Sequence, residues 1–176
     1  MSQHVNGRIE NRIRFKRIRS LIVVLSLLLT SCDGGRGERY LIVHADDAGM
    51  CDSVNRATMA AMDQGVVSSA SLMVPCPGFE DFAAYVREHP DKDFGIHFVL
   101  TSDLPADGWG PVLDPDQVPS LVNEDGCFWE TPGEVVSHAV VDEVEKELRA
   151  QIEHALEAGV DISNVDTHRF VMFERR

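Results

Sequence analysis

Along residues 40–168 the apolar positions change period several times, and each change marks an element. Tyr40-Leu-Ile-Val-His44 is a short β-rich run that stops at Ala45-Asp46-Asp47-Ala48-Gly49, as a buried strand running into a polar loop would. After it, Val54, Ala57, Ala61 and Met62 fall on one helical face, with Asp52 or Ser53 as start signal and Gly65 as stop. Ser69–Val74 reads as a second strand, broken by Pro75 and Pro77. Phe79, Phe82, Ala83 and Val86 form the stripe of a helix that must end before Pro90, because the residue preceding a proline is pushed out of the helical region. Phe94–Leu100 is a third strand. Residues 102–134 keep no period and are rich in Pro, Gly, Asp and Trp, so a long excursion is expected, of the kind that forms a lid or substrate wall. From His138 to Ala158 a helical period returns, with Val141, Val144, Leu148, Ile152 and Ala155 inward and Glu143, Lys146, Glu147 and Glu153 outward. Gly159 ends that helix and Ile162–Asp166 supplies a fourth strand. Strands alternating with helices predict a parallel α/β sheet or barrel, in which functional residues gather at the C-terminal strand ends.

The first forty residues follow another logic. Arg8, Arg12, Arg14, Lys16, Arg17 and Arg19 precede the apolar run Leu21–Leu29, which is too short to span a bilayer and reads as a signal peptide. Leu29-Thr30-Ser31-Cys32 looks like a lipobox, so residues 1–31 are expected to be a lipoprotein signal peptide and Cys32 the lipidated residue of an exported, membrane-anchored lipoprotein facing the periplasm or cell exterior. Residues 32–39 have the Gly-rich composition of a flexible tether. Cys51, Cys76 and Cys127 are odd in number and form no C-x-x-C pair, which indicates neither a disulfide framework nor a cysteine zinc site.

Charge narrows the choice of partner. The net charge of −13 conceals a basic leader: residues 1–31 hold six Arg/Lys against one Glu, leaving ten Arg/Lys against 28 Asp/Glu in residues 32–176. Nucleic-acid binding depends on Lys and Arg neutralising phosphates, so an acidic domain of this kind argues against a nucleic-acid partner.

Asp46, Asp47, His97 and His168 all fall at or near predicted strand ends. An acidic pair after a strand is common as a helix cap, and a single strand histidine is commonly a hydrogen-bonded core residue. Together with Asp166-Thr167-His168 at the next strand end, however, they give a carboxylate and two imidazoles on one rim, the ligand set of a catalytic divalent metal. A receiver-like phosphoacceptor module also carries an acidic pair after strand one, but it needs an Asp at the end of strand three, where this chain has His97.

Leu41–Gly49, Asn55, Gly65, Ser69–Met73, Gly95–Thr101 and Asp166-Thr167-His168, taken in order, resemble the motifs of the YdjC-like carbohydrate deacetylase family. Trp109-Gly-Pro111, Val118–Val122, Asp125–Trp129 and Glu147–Gln151 are similar to secondary stretches of many members. The resemblance implies a deformed (β/α) barrel of glycoside hydrolase/deacetylase type over residues 40–176, left incomplete because members continue well past the Asp-Thr-His motif. It further implies hydrolysis of acetyl groups from N-acetylated sugars or oligosaccharides, with one divalent ion, Mg2+ or Zn2+, held by Asp47, His97 and His168, and Asp46 as general base. His44 stands beside the acidic pair as a supporting residue. A homodimer is compatible with the resemblance. The competing expectation is an inactive lipoprotein or sugar-binding remnant of the same family.

Overall fold

The computed structural model describes residues 39–103 and 108–174. The expected signal peptide, Cys32 and nearly all of the tether lie outside them. Four strands form one parallel sheet: β1 (His44–Ala48), β2 (Ser69–Leu72), β3 (Asp93–Phe98) and β4 (Ile162–Thr167), in the spatial order β1-β2-β3-β4. Helices α1 (Asp52–Gln64) and α2 (Phe79–Glu88) make the first two crossovers. The third runs through the excursion, α3 (Pro132–His138) and α4 (Val141–Glu157).

The sheet has two chemically different faces because strand side chains alternate. Ala70, Leu72, Phe94 and Ile96 lie in a core with Met62 of α1, Phe79, Phe82, Ala83, Tyr85 and Val86 of α2, and Ala155 of α4. The register pairs His44 with Ser69, Ser71 with Gly95, and His97 with Asp166, so these polar residues share the opposite face. Gly95 is required there: a Cβ at this position would collide with the Asn164 backbone and side chain on β4.

The excursion is folded rather than loose. Two short 3-10 turns, Pro115–Gln117 and Pro119–Leu121, and bridges from Thr101 to Trp129 and Val122 to Phe128 organise it. Trp109, Val118, Leu121 and Phe128 form a second core with Met73, Val99 and Leu100. Trp109 donates its indole N–H to the Thr101 carbonyl at 2.8 Å.

Four expectations need correction. The first strand is displaced towards the C-terminus: pairing begins with His44 against Ser69, so Leu41 and Ile42 stay exposed and the acidic pair lies within the strand. In α1 the buried positions are Asn55, Thr58 and Met62, while Ala57 is exposed, because Asn55 is used to fasten loops. The helix expected from His138 to Ala158 is two helices, separated where Val140 turns extended and donates its N–H to Ser120 Oγ at 2.8 Å. Finally, Glu147 faces inward. It is fully buried and accepts from the Val112 and Leu113 backbone N–H groups and from Gln151 Nε2, so hydrogen-bond supply overrides charge in deciding its direction. Glu143, also expected in solvent, accepts from the Ser120 N–H and hydroxyl.

Candidate metal centre

All the residues singled out at the strand ends meet at the C-terminal edge of the sheet. Consecutive strand residues normally face opposite ways, yet Asp46 and Asp47 both line one cavity of about 550 Å3. The cause is local. The β1–β2 register shifts between Ala45 and Ala48, and Asp47 takes the left-handed conformation with φ of 61°. A bulge re-aims side chains in this way, and Asp is among the few non-glycine residues that tolerate the left-handed region. Gly49, with φ of 89°, completes the turn, and buried Asn55 holds it: Oδ1 accepts from the Gly49 N–H and Nδ2 donates to the Gly78 carbonyl, both at 2.7 Å.

Around Asp47 the two histidines converge. Asp47 Oδ1 lies 3.3 Å from His97 Nε2 and 3.1 Å from His168 Nδ1, and the rings meet edge to face with centroids 5.4 Å apart. One ligand atom from each of Asp47, His97 and His168 lies within 4.8 Å of the others. Both rings are buried and the carboxylate is half-open, which leaves the cavity as the side of approach. The hydrogen bonds to His168 and then His97 hold the Asp47 carboxyl well below the usual carboxylate range, against the opposing effect of burial. Burial works against a charged His97, but Asp166 and Asp47 outweigh it and raise the ring to about 9.

The donor chemistry fits a divalent ion. Tetrahedral zinc with bonds of about 2.0–2.1 Å sets neighbouring ligand atoms about 3.3 Å apart, close to the two separations around Asp47 Oδ1. A second grouping, His44, Asp46 and Asp166, adjoins the first. There His44 Nδ1 is taken by Ser69 Oγ at 2.6 Å, while Nε2 lies 3.3 Å from Asp166 and 3.7 Å from Asp46. His44 therefore touches the acidic side of the site, as its sequence position suggests.

The remaining cavity wall differs from expectation. Phe98, Val165, Phe170, Met172 and Phe173 supply an apolar side next to the histidines, and no described residue of 108–134 lines it. The excursion contributes through its first turn instead, by Asp103, whose Oδ2 is 2.9 Å from His168 Nε2. Asp103 was not legible in the sequence, since nothing about Thr101-Ser102-Asp103 distinguishes it from a loop acid. Asp166 carried a faint signal by standing two residues before His168.

Fold and site together define a parallel α/β protein with a candidate divalent-metal centre at its C-terminal strand ends. The profile of the family described as YdjC-like protein matches residues 40–175, and the chain belongs to that family. It is 41% identical over 133 residues to a carbohydrate deacetylase of Geobacillus stearothermophilus, covering 76% of this chain and 50% of that protein. A chitooligosaccharide deacetylase of Serratia marcescens is 34% identical over 137 residues, covering 76% and 51%. A crystal structure described as a putative cellobiose-phosphate cleavage protein from Enterococcus faecalis V583 superposes with a TM-score of 0.68 at 29% identity, covering 76% of this chain and 50% of that one. The chain spans about half the length of the curated relatives it matches.

Proposed function

We propose that this chain carries the metal-holding part of a carbohydrate deacetylase, a hydrolase that removes acetyl groups from N-acetylated sugars or oligosaccharides. The observation that carries the proposal is the convergence of His97 and His168 on one oxygen of Asp47 at the rim of a cavity. The names of the relatives supply the substrate class. Asp47, His97 and His168 would hold one divalent ion, and two imidazoles among three ligands favour zinc over magnesium. Such an ion supplies Lewis acidity towards an acetamide carbonyl and acidifies a water. Asp46 would take the water's proton as general base, a role supported by its 61% exposure and its position on the cavity wall. Phe98, Val165 and Phe170 offer apolar surface to the acetyl methyl and the sugar face. The same proposal puts the domain outside the cytoplasm on a lipid attached to Cys32, with the signal-like run and lipobox as its support. No helix among the described residues is long and apolar enough to cross a membrane.

The test is zinc and magnesium titration of the full chain and its Asp47→Ala, His97→Ala and His168→Ala variants, with acetate release from N,N′-diacetylchitobiose measured in parallel. One bound ion per chain, lost in each variant, supports the proposal; unchanged binding in His97→Ala removes it. Acetate release that survives Asp46→Ala undiminished would remove the general-base assignment alone.

A further inference from the structure

Each histidine of the centre has its far ring nitrogen occupied by a second carboxylate. His97 Nδ1 is 2.6 Å from Asp166 Oδ1, while its Nε2 faces Asp47. His168 repeats the pattern with nitrogens exchanged: Nε2 is 2.9 Å from Asp103 Oδ2 and Nδ1 faces Asp47. Both outer carboxylates are themselves fixed. Asp166 Oδ2 accepts from Ser71 Oγ at 2.9 Å and lies 3.3 Å from His44 Nε2; Asp103 Oδ1 accepts from Arg169 Nη1 at 3.1 Å.

A neutral imidazole has one N–H and one lone pair, and an ionised carboxylate only accepts. Asp166 and Asp103 therefore draw the ring proton to the outer nitrogen of each histidine. The inner nitrogen of a neutral ring then presents a lone pair to Asp47, which is also an acceptor, so the hydrogen bonds to Asp47 described above require a second ring proton, in the place that a cation would take. Acceptors 3.1–3.3 Å apart repel unless a proton or a cation lies among them. Two rings and one carboxylate oxygen do this around a single place.

We propose that Asp166 and Asp103 are the positioning residues of this centre, each holding the outer nitrogen of one histidine so that the inner nitrogen keeps its lone pair for a cation. The inference rests on the metal-binding part of the function proposed above. Asp166 acts from β4, as the cross-strand partner of His97, and Asp103 acts from the first turn of the excursion. The fold thereby links the excursion to metal affinity without placing any residue of 108–134 in the cavity wall.

Asp166→Asn and Asp103→Asn keep size and polarity but can turn an NH2 towards the ring, which favours a proton on the wrong nitrogen. Zinc titration of the full chain is expected to show about 10–100-fold weaker binding for each. In the zinc-loaded wild type, histidine 15N spectra should show slowly exchanging protons on His97 Nδ1 and His168 Nε2, each lost in the corresponding variant, a signature that a merely structural role would not move. Metal-free melting curves identify a variant that does not fold. In that case Ser71→Ala, which removes one hydrogen bond from Asp166, should still weaken zinc by about two- to tenfold. Wild-type protein that binds no zinc would overturn the metal reading and the positioning roles with it. Wild-type binding matched within twofold by Asp166→Asn, Asp103→Asn and Ser71→Ala would overturn the positioning roles alone.

Discussion

Replacing Glu147 by Ala should destabilise the domain strongly, although nearby charged positions of the same helix, Glu145, Lys146 and Arg149, are exposed. The carboxylate is 0% exposed and receives hydrogen bonds from Val112 N–H at 2.9 Å, Leu113 N–H at 3.2 Å and Gln151 Nε2 at 2.9 Å. Gln151 in turn pairs with both the N–H and the carbonyl of Val99, just beyond β3. Removing the carboxylate strands three donors, at about 1–3 kcal/mol each where water cannot replace the acceptor. Val112 and Leu113 are only half-buried, so water recovers part of that loss. The variant also escapes the burial that, despite the hydrogen bond from Gln151, raises the Glu147 pKa. The balance is a net loss of about 2–4 kcal/mol, a large share of the roughly 5–15 kcal/mol typical of a domain. Thermal melting followed by circular dichroism should fall by roughly 5–15 °C. The exposed neighbour Glu153→Ala should stay within about 0.5 kcal/mol of wild type. The pH dependence has a fixed sign: a carboxyl whose folded pKa lies above its unfolded value makes stability fall as pH rises from the unfolded value through the folded one. Above pH 4.5 the stability of wild type relative to Glu147→Gln should therefore decline before levelling off. Equal melting of Glu147→Ala and Glu153→Ala would refute this account of how the excursion is fastened.

Gly95→Ala should fail to fold or melt far below wild type, because its methyl would meet the Asn164 backbone and force β3 from β4; soluble expression with a wild-type melt would contradict the tight approach of those strands. Asn55→Ala releases the Gly49 N–H and the Gly78 carbonyl inside the protein, so a loss of about 2–4 kcal/mol together with weaker zinc binding is expected, read by melting and titration. Cys32→Ala, or globomycin treatment of producing cells, should leave an unprocessed precursor in the membrane fraction, and unchanged processing would remove the lipoprotein proposal.

The sequence revealed periods and types better than directions. Helix α2 was readable because its buried Phe79, Phe82, Ala83 and Val86 are all apolar and Pro90 bounds it. Helix α1 is less legible in detail because its most buried side chain is Asn55, whose value lies in contacts to two loop residues, Gly49 and Gly78, the second of them 23 residues away. The inward direction of Glu147 is hidden for a similar reason, since its donors at Val112 and Leu113 lie 35 and 34 residues away. Asp46, Asp47, His97 and His168 stand out because polar groups at the ends of apolar runs are conspicuous, the choice of Asp47 with the two histidines as ligands is what the family resemblance implies, and the fold brings those three together. Their supports do not. Asp103, Ser71 and Arg169 are ordinary residues in sequence, and only the parallel register of β2, β3 and β4 and the turn after β3 give them a role. The bulge that lets Asp46 and Asp47 share a cavity was also hidden, because it depends on the pairing of β1 with β2.

The most direct test of the centre is anomalous diffraction at the zinc edge from crystals of the full chain grown with one equivalent of zinc. The expected result is a single peak about 2.0–2.2 Å from an Asp47 carboxylate oxygen, His97 Nε2 and His168 Nδ1, with Asp166 and Asp103 still on the outer nitrogens. A peak seated instead among His44, Asp46 and Asp166, or no ordered zinc at all, would contradict it.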